Sequence, residues 1–323
     1  METTTDKIIE YMKSKDQVTP AELSNYLGIN RAATHRQINK LMRDNIIYKI
    51  GKSPKVFYLL TEKKKLVNTV HIDPELKKLI DDNFLVITPA GEREEGFHGF
   101  EYWCDKQKLP VDKTALEYKK TLRKYIPYKK DGLIDGMYKI KHTFDEVFVD
   151  KVFYLDFYSI ERFGKTKLGQ ILLYAKQSQN KILIRELIDQ IKPQVISLIK
   201  KFEINAVGYI PPTVKRETQL MKELERQLNL SIPSINLVKV KTPVTVPQKT
   251  LNRLEDRVEN ARGTIIVDDA KKYKTILLID DALGSGATLN ETARKIKNQK
   301  LAENIIGLAI TGSFSGFEVI SEV

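Results

Sequence analysis

Apolar residues in the first sixty positions recur at helical spacing. Ile8, Ile9 and Met12 form one side of a predicted helix that Thr4 or Thr5 can cap. Thr19 caps a second, with Pro20 in its first turn, where a missing N–H costs nothing, and Gly28 ends it. Asn30 can cap a third, in which Thr34, Ile38 and Leu41 fall at i, i+4 and i+7 and face inward. Residues 46–50 and 56–60 are then strand-like and flank a turn at 51–55. From about residue 150, apolar runs alternate with helical stripes. Strands are expected at 152–155, 206–210, 235–240, 275–279 and 305–310. Helical stripes are Leu220, Leu224 and Leu228; Leu289, Ala293 and Ile296; and Leu183, Leu187 and Ile191, the last ending near Pro193. This alternation predicts an α/β domain with a mainly parallel sheet flanked by helices. Between them, Phe97, Phe100, Trp103, Tyr118, Tyr125 and Tyr128 predict a packed region, whereas 91–95 and 129–132 read as polar loops.

Composition adds three limits. With 323 residues, 41 % of them hydrophobic, the chain has material for more than one core. No run approaches the roughly 18 apolar residues that span a bilayer, and the first six residues lack the basic and apolar regions of a secretory signal, so no membrane partner and a cytoplasmic location are expected. A lone cysteine, Cys104, excludes an internal disulfide framework and reads as a buried small hydrophobe; four scattered histidines have no zinc-site spacing. The net charge of +12 favours polyanionic partners without distinguishing nucleic acids from phosphorylated metabolites. The run Lys63 to Lys65 fits a solvated boundary as well as a phosphate contact.

The third helix leaves Arg31, His35, Arg36, Asn39, Lys40 and Arg43 outside. Its order with the preceding turn and the following hairpin, and the segment 27–41 in particular, resembles the winged helix-turn-helix of bacterial regulators. The resemblance implies double-stranded DNA as a partner. Arg31, Arg36, Lys40 and Arg43 would reach phosphates, Arg31, His35, Arg36 and Asn39 base edges in a major groove, and Lys52 and Lys55 on the wing the backbone.

The chemistry concentrates at 275–288. A continuous apolar run suits a strand buried on both faces, and it ends in Asp280 and Asp281. Adjacent carboxylates are costly to bury, yet tolerable at the carboxyl end of a strand, where open α/β sheets leave a ligand crevice. Side by side, they can accept hydrogen bonds from the two vicinal hydroxyls of a ribose. Ala282 and Leu283 lead to Gly284, Ser285 and Gly286, whose backbone N–H groups can gather into one concavity for a phosphate. Ala287 and Thr288 open a helix whose free N–H groups and dipole favour an anion.

This apolar strand, acid pair and small-residue loop ending in Gly-Ala-Thr resembles the signature of type I phosphoribosyltransferases. Many members carry two threonines where this chain has Gly284 and Ser285, so a hydroxyl is lost. The stretch 242–263 is similar to a loop of ComF-type members, with Pro247, Gln248, Leu251, Arg253, Arg257, Asn260 and Gly263 at matching positions. In related enzymes it is mobile and closes over pyrophosphate, where cations stabilise developing charge. The segment 211–216 corresponds to the ComF pyrophosphate turn, making Pro212, Thr213, Lys215 and Arg216 candidate contacts alongside Arg253 and Arg257. The cysteine-rich zinc segment that usually begins ComF proteins is absent.

The resemblances together imply a type I phosphoribosyltransferase fold joined to an N-terminal winged helix-turn-helix: residues 1–65 for DNA, 66–150 as an intermediate linker or hood of unassigned role, and 151–323 for 5-phosphoribosyl-1-pyrophosphate (PRPP). The expected function is a DNA-binding transcriptional regulator, working as a homodimer, that senses a phosphoribosyl metabolite at Asp280, Asp281, Ala282, Gly284, Ser285, Gly286, Ala287 and Thr288. The alternative is an active transferase that moves the phosphoribosyl group to a nucleotide or nucleic-acid acceptor and releases pyrophosphate; a defence effector acting on nucleotides is a third possibility that no residue selects. In a transferase Asp280 and Asp281 would orient the ribose, and Mg2+ would be held through PRPP's own oxygens with no direct protein ligand.

Overall fold

The structure, a computed structural model, describes residues 3–15, 17–44, 46–52, 54–61, 72–214, 216–240, 242–244 and 246–314, which fall into two compact units, 1–71 and 72–323. The Lys63 to Lys65 run and Lys215 lie outside the described residues, and for Lys52 only the backbone is described.

In the first unit, α1 (Thr4–Lys13), α2 (Pro20–Leu27) and α3 (Arg31–Arg43) precede an antiparallel hairpin of β1 (Ile47–Lys52) and β2 (Lys55–Leu60). Thr3, not Thr4 or Thr5, caps α1. It alone has an acid at the right spacing: its hydroxyl accepts from the Asp6 N–H (3.2 Å) while the Asp6 carboxylate accepts from the Thr3 N–H (2.9 Å). Thr19 and Glu22 repeat the arrangement, and Gly28 at φ +64° ends α2. Ile8, Met12, Leu23, Ile38, Leu41, Ile47 and Tyr58 close a small core, with Thr34 buried beside them. The turn is shorter than its residues predict, because Gly51 and Lys52 continue β1.

The second unit begins with α4 (Pro74–Asn83), the short pair β3 (Leu85–Ile87) and β4 (Arg93–Glu95), α5 (Gly96–Lys106) and α6 (Val111–Tyr125). The predicted aromatic core is present: Phe84, Phe100, Trp103, Tyr118 and Phe163 pack with ring centroids 5.0–6.2 Å apart. Tyr128 is the exception, half exposed against Phe314. This helical layer shares one hydrophobic core with the sheet that follows it, Leu76, Ile80 and Tyr118 belonging with Ile134, Val152 and Ile276.

The chain continues through β5 (Lys129–Lys130), β6 (Leu133–Asp135), α7 (Met137–Thr143), β7 (Lys151–Phe157), α8 (Lys167–Ser178), α9 (Lys181–Lys201), β8 (Ala206–Tyr209), α10 (Leu220–Leu228), β9 (Leu237–Lys239), α11 (Leu254–Thr264), β10 (Ile265–Val267), β11 (Tyr273–Leu283), α12 (Ala287–Asn298) and β12 (Ala302–Gly312), and six of these strands form the sheet. Its order is β5-β6-β7-β12-β11-β8. β7, β12, β11 and β8 run parallel; β5 and β6 are antiparallel, so the sheet is mixed.

Three expectations need correction. Residues 93–95 and 129–130, read as polar loops, are edge strands, where pairing on one side needs no apolar alternation. The segment 235–240 does not add a strand to the sheet. Ile235 donates to the Val207 carbonyl (2.8 Å) at its edge, then the chain leaves to pair as β9 with β10. Finally, α9 runs through Pro193 to Lys201: the stripe continues as Val195 and Leu198, both fully buried, and that packing outweighs the roughly 3 kcal/mol an interior proline costs.

Candidate functional site

The buried run of β11 is flanked on both sides, by β12 and β8, and ends at the carboxyl edge of the parallel strands. There Asp280, Asp281 and the loop Gly284 to Thr288 border a cavity of 630 Å³. β8 stops at Tyr209, so Pro211, Pro212, Thr213 and Arg216 emerge beside them and line the same space.

Gly286 shows why the loop needs its glycine. It sits at φ +83° as the residue capping α12, and a Cβ there would stand 2.2 Å from the Ile140 Cδ1 of α7. Left-handed backbone and the need to displace the end of a fully buried side chain together make a larger residue costly. Gly286→Ala is expected to destabilise the second unit by about 2–4 kcal/mol. Denaturant unfolding checks this, and an unchanged midpoint would count against the strained turn. The α12 N-terminus is anchored further along by Asn290, whose side chain accepts from the Phe148 N–H (2.8 Å) and donates to the Glu146 carbonyl (2.9 Å). The Ser285 hydroxyl accepts from the Ala287 N–H (3.2 Å), tightening the first turn.

The acid pair is asymmetric. Asp281 forms an ion pair with Lys176 in the last turn of α8, while Asp280 accepts the Asp281 N–H (2.8 Å). Burial, with the Asp281 charge next, pushes the Asp280 carboxyl up to about 7; the Asp281 N–H and Lys176 pull the other way. Opposite, Lys239 of β9 also lines the cavity, and burial lowers its ammonium to about 8 despite the attraction of Asp280.

Of the basic loop, Pro247, Gln248, Asn252 and Arg257 reach the cavity. Gln248 donates to the Arg257 carbonyl (3.0 Å) and Asn260 Oδ1 (3.2 Å), and Arg257 Nε donates to the Leu251 carbonyl (2.7 Å), folding the segment back on α11. Arg253 is not among the lining residues; it is exposed and pairs with Glu255 at 3.6 Å. Arg216 lines the cavity with one nitrogen held by the Lys176 carbonyl (2.8 Å).

Among the described lining residues, then, four cations, Lys176, Arg216, Lys239 and Arg257, surround two carboxylates. A ligand that carries both hydroxyls and negative charges matches that mixed lining. Sequence reasoning missed Lys176 and Lys239. A signal for Lys176 existed, since Leu168, Leu172 and Lys176 follow at i, i+4 and i+8 and put a lysine on the buried face of an apolar helix. Among the described residues no group of three or more His, Cys, Asp or Glu could hold a metal ion, and no helix is long and apolar enough to cross a membrane.

In the first unit, Arg31, His35, Arg36, Asn39, Lys40 and Arg43 are all exposed on α3, opposite its buried Thr34, Ile38 and Leu41, and Lys55 is exposed at the hairpin.

No curated protein matches this chain. Among solved structures, an adenine phosphoribosyltransferase is similar at a TM-score of 0.26 and 11 % identity, over 42 % of this chain and 81 % of that one. Residues 1–48 match the family model for winged helix-turn-helix DNA-binding, so the chain carries such a domain at its N-terminal end.

Proposed function

We propose that the protein is a DNA-binding regulator whose second unit is a ComF-like, type I phosphoribosyltransferase domain that binds PRPP or a related phosphoribosyl metabolite. The observation that carries this reading is the 630 Å³ cavity, where an acid pair, a helix N-terminus and four cations meet at the carboxyl end of the parallel strands. Asp280 and Asp281 take the ribose hydroxyls, the N–H groups of Ser285, Gly286 and Thr288 take the 5′-phosphate, and Arg216 and Arg257, which line the same cavity, take the pyrophosphate. Magnesium arrives with PRPP and is held by its oxygens, the ion preferring few protein ligands and retained waters. The regulator acts as a homodimer, because paired recognition helices read half-sites one helical turn apart.

Regulation requires that the ligand distinguish two states of the protein. Measuring operator-length duplex binding by the full chain with and without PRPP and magnesium is expected to show a change of at least about fivefold, the low end of allosteric coupling. Equal affinity in both conditions would remove the sensor reading. Lys239 and Arg257, which line the same cavity as the acid pair, favour a second reading, transfer of the phosphoribosyl group with stabilisation of departing pyrophosphate. Pyrophosphate released with turnover, in the presence of candidate nucleobase or nucleotide acceptors, separates it from the first.

A further inference from the structure

A second cleft, of 280 Å³, opens in the same unit at the β6 and β7 edge of the sheet and shares no lining residue with the first. Asp156, the penultimate residue of β7, belongs to its wall. One carboxylate oxygen accepts the Phe157 N–H (2.9 Å); the other has as its nearest cation the Lys129 ammonium at 3.9 Å, beyond hydrogen-bond reach. Burial raises the Asp156 carboxyl, with Lys129 and the Phe157 N–H opposing, as for an anion short of partners.

The surrounding polar groups are short of donors. Asn83 gives its amide nitrogen to the Leu79 carbonyl (2.9 Å) and Gln190 gives its own to Glu186 (3.1 Å). Gln194, in the orientation that satisfies its amide, donates to the Gln190 and Ile191 carbonyls at 2.9 and 3.1 Å. Thr166 donates to the Phe157 carbonyl (2.6 Å), and Lys167 pairs with Glu95 (3.3 Å). What remains for a ligand is three side-chain amide carbonyls and the Asp156 carboxylate, with the Lys129 ammonium as the one competing cation among the described lining groups left without a closer partner. Tyr125, partly buried and edge to face with the buried Phe157 at 4.8 Å, adds aromatic surface of the kind that attracts cations. The volume lies just below the usual range for drug-sized ligands, which suits a smaller one.

We propose that this cleft binds a compact organic cation with several N–H donors, of the diamine or guanidinium class, its charged end against Asp156 and its body against Tyr125. Titration of the full chain with putrescine and with agmatine by calorimetry at pH 8 tests it. One site per chain is expected. Asp156→Asn should weaken it at least tenfold without unfolding the protein, since it removes a poorly compensated charge while keeping the shape. Lys129→Met should tighten binding about threefold or more, by removing the competing cation. Asp280→Asn, in the other cavity, should leave it unchanged. The proposal is overturned if neither amine binds, if Asp156→Asn binds as well as wild type, or if inorganic phosphate occupies the cleft and is lost in Lys129→Met.

Discussion

Changing both Asp280 and Asp281 to Asn is expected to weaken PRPP binding by at least about a hundredfold. A hydrogen bond to a charged group contributes roughly 1.5–3 kcal/mol, and two ribose hydroxyls would each lose one. Asparagine keeps the volume but presents only one acceptor, so the loss reports charge and acceptor count, with packing preserved. Binding of duplex DNA by the same full-length variant without ligand should be unchanged. Isothermal titration measures the first and a mobility shift the second; PRPP affinity equal to wild type would remove the acid pair from the site.

The same position should show the opposite effect on stability. Asp280 is held above the ordinary carboxylate range, so the folded state releases its proton at higher pH than the unfolded chain does. Below about pH 4 both states are protonated and the residue is neutral in its effect; between about 4 and 7 the unfolded state ionises first and stability falls; above about 7 the whole penalty is present. At 1.36 kcal/mol per pH unit, Asp280→Asn alone should raise unfolding free energy at pH 8 by about 2–4 kcal/mol and leave it nearly unchanged at pH 4. A residue that would cost stability and nevertheless lines a cavity has the profile of a binding group.

The site was most legible where it is local. Asp280 to Thr288 could be read from the chain because strand end, turn and helix start are contiguous, and each demands recognisable residues: a buried apolar run, glycine at positive φ, a free helix N-terminus. The first unit was equally open, its helices marked by Thr19, Asn30 and Gly28, apart from the start of α1, where the Asp6 partner decided for Thr3. What was hidden depends on contacts distant in sequence. Lys176 meets Asp281 across 105 positions. Lys239 reaches the cavity because β9 turns away from the sheet to pair with β10. α9 outlasts Pro193 because of the sheet face beneath it, and Lys129 and Lys130 form a strand because Leu133 and Ile134 offer them an edge. Local propensity carries none of these, and tertiary packing overrides it.

For the DNA-binding unit, replacing Arg31, Arg36 and Lys40 together by Ala is expected to make the dependence of log affinity on log salt shallower by about 2–3, because each neutralised phosphate contributes about 0.9 to that slope. The three side chains are exposed on α3, away from Thr34, Ile38 and Leu41, so their removal leaves the core intact and the fold should be unchanged by circular dichroism. Affinity at roughly 0.1 M salt should drop by about two orders of magnitude for every duplex tested, since phosphate contacts position the helix and carry no sequence information. Asn39→Ala should behave differently: a small change on random DNA, but a loss of about 1–3 kcal/mol of preference at one base pair, as expected of a bidentate contact to adenine. If the triple variant keeps the wild-type slope, α3 is not the element that meets the phosphates, and the exposed Lys55 of the hairpin becomes the place to look.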